Sequence, residues 1–128
     1  MTYYFAKTLT AGFDEAIRRT TEALKREGFG IITEIDVKDT FKKKINVDFR
    51  RYRILGACNP TLAHEALQIE DKVGTMLPCN VVVQELDGGG TEVAAIDPVA
   101  SMQAIDNPRL KQAAERVQAK LRKAIETL

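Results

Sequence analysis

Residues 81–97 read Val-Val-Val-Gln-Glu-Leu-Asp-Gly-Gly-Gly-Thr-Glu-Val-Ala-Ala-Ile-Asp. Two β-prone runs, 81–86 and 91–97, flank Asp87-Gly88-Gly89-Gly90, whose glycines accept the positive φ that tight hairpins need. The stretch predicts two neighbouring antiparallel strands. Upstream, residues 2–9 alternate, with Tyr3, Phe5 and Leu9 on one side, which suits a further strand. Residues 30–37 read as another, with Ile31, Ile35 and Val37 on one face and Glu34 and Asp36 on the other. A strand over 50–58 stops at Asn59-Pro60.

Helices separate these strands. Phe13, Ile17, Thr20 and Leu24 form a stripe over 12–27, and Gly28 is a stop signal. Residues 38–48 suit a short basic helix around Phe41 and Ile45. Asn59 as cap and Pro60 at the first helical position open a helix to about Asp71, with Leu62, Ala63, Ala66 and Leu67 facing inward. Asp97-Pro98 caps a short helix, and Leu110, Ala114, Val117, Leu121, Ile125 and Leu128 mark a long last one over 108–128. The fold expected is α+β and two-layered: a mainly antiparallel, curved sheet with helices packed on one face. With no repeat or linker, the 128 residues are expected to form a single domain.

Nineteen Lys and Arg against eighteen Asp and Glu give a net charge of +1, which argues against a dedicated nucleic-acid binder. No leader pattern, no run of bilayer length and two unpatterned cysteines lead to the expectation of a cytoplasmic protein with reduced thiols. The basic run Lys42-Lys43-Lys44 with Arg50, Arg51 and Arg53 is interleaved with Asp39 and Asp48, as on a solvated face. Gly88-Gly89-Gly90 lacks the strand-to-helix setting and following Lys of a phosphate loop, and no serine elbow occurs.

Four stretches carry a resemblance: Gly-Phe-Gly-Ile-Ile-Thr-Glu-Ile-Asp-Val (28–37), Tyr-Arg-Ile-Leu-Gly-Ala-Cys-Asn-Pro (52–60), Leu-Pro-Cys-Asn-Val-Val-Val (77–83) and Ala-Ile-Asp-Pro (95–98). In this order they resemble the domain of unknown function 302 family of small bacterial and archaeal proteins. The resemblance spans nearly the whole chain and implies a two-layer fold and a homodimer. It transfers no activity and no cofactor.

The chemistry on offer centres on Cys58, Asn59, Cys79 and Asn80. Cys58 ends a strand at a helix start, where free N–H groups and the helix dipole favour a thiolate. If the strands ending at Cys58 and starting at Cys79 pair as antiparallel neighbours, both thiols lie at one end of the sheet with their sulfurs unbonded. Three readings follow. With the cysteines as packing residues, the protein is a non-enzymatic binding module for a small molecule or a protein partner. With reactive thiols, it is a redox or sulfur-relay protein using Cys58 and Cys79. As a metal carrier or sensor, it would hold zinc or copper on Cys58, Cys79 and His64, though His64 falls on the helix face opposite Leu62, Ala63 and Ala66. Glu34 and Asp36 share a strand face and are candidates to line a groove on the open side of the sheet, and Asp97 reads as a helix cap.

Overall fold

A computed structural model of the chain describes residues 2–128. The order is β1 (Tyr4–Leu9), α1 (Phe13–Arg26), β2 (Gly30–Asp36), α2 (Val37–Ile45), β3 (Tyr52–Cys58), α3 (Pro60–Ile69), a 3₁₀ turn (Asp71–Met76), β4 (Cys79–Glu85), β5 (Thr91–Ile96), α4 (Pro98–Ser101) and α5 (Pro108–Glu126). The five strands form one open sheet in the order β1-β5-β4-β3-β2, antiparallel at every pairing. The 87–90 hairpin places β4 beside β5 as its glycines predict, with Gly89 and Gly90 at φ +92° and +86°.

Directly paired residues share a face of the sheet. One face carries Phe5, Leu55, Ala57, Cys79, Val81, Val83, Val93 and Ala95, which pack with Phe13, Ala16 and Leu24 of α1 and Leu121, Ala124 and Ile125 of α5. A second cluster joins Ala66 of α3, Val73, Met102, and Leu110 and Ala114 of α5. Caps fix the helix starts. Asn59 Oδ1 accepts from the Leu62 N–H, Asn107 Oδ1 from Arg109 and Leu110, and Asp97 Oδ1 from Val99 and Ala100. Each cap precedes a proline at the first helical turn, where a missing N–H costs nothing.

β2 departs from simple alternation. Ile31 pairs with Ala57 but Thr33 pairs with Gly56, so Ile32 is an extra, bulged residue. The bulge switches faces. Ile31 turns toward the helices and Ile35 toward the open side, whereas a regular strand would put both on one face. Glu34 and Asp36, opposite Leu55 and Arg53, therefore lie on the helix side rather than in an open-face groove. Both are spent on Arg53, at 3.0 and 3.4 Å.

The opposite face is crossed by a row of apolar residues in register: Ala6, Ala94, Val82, Ile54 and Ile35. Phe41 and Phe49 meet Tyr52 edge to face at one corner. Tyr3, Tyr4 and Ile35 are 63%, 42% and 49% exposed. Among the described residues no helix is long and apolar enough to cross a membrane.

Candidate functional site: a sulfur-lined cavity

Between the two core clusters the packing fails to close and leaves a cavity of about 300 Å³. The cause is side-chain size. Ala57 of β3, Ala63 and Ala66 of α3, and Ala113 and Ala114 of α5 all face it, and five methyl groups cannot fill what Leu or Phe would. Phe29, Leu62, Leu77, Leu110 and Val117 add to the apolar wall, Ile32 and Leu67 stand at its exposed rim, and Cys58, Cys79 and Met102 also line it.

The cysteines arrive from neighbouring strands. Ala57 is the partner of Cys79, so Cys58 lies one residue beyond the pair, at the end of β3 where β4 begins. Across-strand and consecutive Cα spacings limit the Cys58–Cys79 Cα separation to under roughly 10 Å. Both thiols are free, Cys79 buried and Cys58 half-buried. The two backbones thus come close although they lie 21 positions apart in sequence, but Cys58, one residue beyond the pair, alternates to the opposite face of the sheet from Cys79.

Burial pushes the Cys79 thiol up to about 11, and the neighbouring Cys58 adds to the rise. The sign of the linkage follows. Between the ordinary value of 9.0 and about 11 the folded state holds a proton that the unfolded chain has released, so stability falls as pH rises across that window. The loss is expected to reach roughly 2 kcal/mol. Urea titrations at pH 8 and pH 11 check it: the wild-type decline should exceed that of Cys79→Ala, which has no thiol to ionise. Equal declines would show that Cys79 carries no part of it.

Asn59 also lines the cavity, but its amide is engaged: Oδ1 caps α3 and Nδ2 donates to the Glu27 carbonyl at 3.5 Å. It braces the start of α3 against the end of α1, and keeps one N–H and one oxygen lone pair uncommitted. Asn80 is separated from the other three. It follows Cys79 on a pleated strand, pairs with Gly56, and so faces the open side, where it is exposed. His64 is exposed on α3 and does not line the cavity. No three His, Cys, Asp or Glu side chains among the described residues come together as a metal cluster. Asp97, besides capping α4, accepts from Gln118 Nε2 at 3.0 and 3.2 Å, a structural tie to α5.

Most of the basic run is tied up in pairs within the chain. Lys42 pairs with Asp48, Lys43 with Asp39 and Arg51 with Asp14, while Arg50 stacks on Phe49 and donates to Gln84. Met102 and the α5 wall had no signal of their own in the sequence: a methionine after a four-residue helix and alanines in an amphipathic stripe are ordinary core residues.

The sequence model of the family described as Domain of unknown function DUF302 matches residues 5–128. The chain belongs to the DUF302 family. A crystal structure of an uncharacterized conserved DUF302 protein from Bacillus stearothermophilus is 29% identical, covers 98% of both chains and superposes with a TM-score of 0.91. No curated protein matches the chain. For this DUF302 chain the family fixes the architecture and leaves activity to be argued from the cavity.

Proposed function

We propose that the protein is a small binding module that takes a compact apolar ligand into the cavity between β3, α3 and α5. The observation that carries this is the cavity's size together with its wall. A space of about 300 Å³ is at the lower end of ligand sites, and apolar cavities half that size stay dry and accept benzene-sized guests. The polar side chain in the wall, Asn59, already has a partner at each end of its amide, so an apolar guest leaves neither end without a hydrogen bond. A non-enzymatic role fits this wall, which offers thiols but no general base beside them. The working form in this proposal is a homodimer built on the open sheet face, with the apolar row from Ala6 to Ile35 at its centre.

Thermal unfolding with toluene or indole tests the ligand reading. At a ligand concentration of a hundred times Kd, stabilisation of about 2.7 kcal/mol is expected for the wild type. Ala63→Phe, which fills the cavity from α3, is expected to lose the response. A wild-type protein indifferent to both compounds, or an equal response from Ala63→Phe, would sink the reading.

A further inference from the structure

We infer that the guest is the alkyl chain of a free, single-chain amphiphile, with its tail in the cavity and its polar head in solvent beyond the rim. The inference rests on the ligand reading of the cavity and narrows it to one class of molecule. The cavity is open on one side, where its lining runs outward to Ile32 on β2 and Leu67 on α3, which are 61% and 40% exposed. Ile32 is the bulged residue, so the irregularity that reverses the faces of β2 also sets an isoleucine at the mouth. Large aliphatic side chains scattered singly over a surface need no explanation. These two continue the wall of an apolar cavity, and the apolar path therefore does not end where the cavity does.

Charge and shape select the class. Among the described residues, no carboxylate, amine, guanidinium or imidazole lines the cavity. An ionic group placed inside would lose its hydration with no partner to replace it, so a charged head has to stay outside. A compact ring held wholly within the cavity leaves Ile32 and Leu67 wet. A chain that runs from among the alanines of α3 and α5 out over the rim covers both, and adds their apolar area to what it removes from water. Because the wall offers no fixed charge, recognition is by length of hydrocarbon, and the sign of the head's charge matters little.

Calorimetric titration of the full chain with straight-chain alkanoates, hexanoate to decanoate and below their micelle concentrations, tests it. Affinity is expected to rise about fourfold with each added methylene. At physiological salt, an alkyltrimethylammonium ion of the same chain length should bind within about fivefold of the alkanoate, since both heads are in solvent. Ile32→Ser and Leu67→Ser change exposed positions, where substitution leaves the fold in place. Each is expected to lower the ratio of decanoate affinity to toluene affinity by about tenfold. An affinity that stays flat along the series, a strong preference for one sign of head, or an unchanged ratio in both rim variants would overturn the inference. So would cosedimentation with phosphatidylcholine vesicles by a protein that retains no free alkanoate. Toluene on the same sample separates the two ideas: a protein that responds to toluene and shows no rise along the series loses only the amphiphile, and one that ignores toluene and every alkanoate loses the ligand reading itself.

Discussion

Gly56→Ala is expected to destabilise the protein by about 3 kcal/mol, lowering the melting temperature by roughly 10 °C. Gly56 is buried in the middle of β3, between Thr33 of β2 and Asn80 of β4. A Cβ there would lie 2.0 Å from Thr33 Oγ1 and 2.7 Å from Pro78 Cγ. Thr33 can swing to another rotamer, but the Pro78 ring is tied to its backbone and cannot. The requirement for glycine is therefore one of space, since its backbone is not among the positive-φ positions. Thermal denaturation of Gly56→Ala, of Thr33→Ala and of the double variant forms a cycle. A coupling of about 1 kcal/mol is expected, as removing the Thr33 hydroxyl relieves one of the two collisions. If Gly56→Ala melts like the wild type, the sheet has more slack at this point than the geometry describes.

The second large effect concerns the open face. In the proposed homodimer Val82 is near the centre of the apolar row, paired with Ile54 on one side and Ala94 on the other. Val82→Glu would bury a carboxylate from each protomer in that interface, and an unpaired buried charge costs several kcal/mol. The wild type is expected to sediment at twice 14.2 kDa at micromolar concentration. The variant is expected at 14.2 kDa, with the dimer dissociation constant raised by at least about a hundredfold. Because Val82 points away from the helices, the single subunit should keep its far-ultraviolet circular dichroism. A wild-type protein that sediments as one chain removes the homodimer from the proposal.

Much of the fold could be read because its punctuation is local. Asp87-Gly88-Gly89-Gly90, Asn59-Pro60 and Asp97-Pro98 each state a turn or a helix start in a few residues, and each sits where that chemistry demands. Alternation failed at β2, where one inserted residue, Ile32, reverses the faces of everything after it, a change no periodicity within 30–37 announces. Leu67 matched the inward stripe of its helix yet is 40% exposed, at the rim of the cavity it helps to line. The candidate site was half visible. Two cysteines in distinctive settings could be brought together by one assumption about strand pairing. The cavity itself is made of missing volume, and alanines in a helix stripe look the same whether their partners fill the gap or leave it.

The bulge in β2 has a consequence for how copies of this chain can meet. β1 and β2 are the outer strands of an open sheet, and an outer strand with free N–H and C=O groups is a template for adding strands without limit. On β2 the kink at Ile32 interrupts the regular ladder, and the carboxylates of Glu34 and Asp36 follow immediately, so a second β2 would face both a broken register and like charge. Open-ended, fibril-like growth is disfavoured along that rim. In the proposed homodimer, by contrast, two copies meeting through the flat of the sheet about a two-fold axis would close the contact on itself, and growth would end at two.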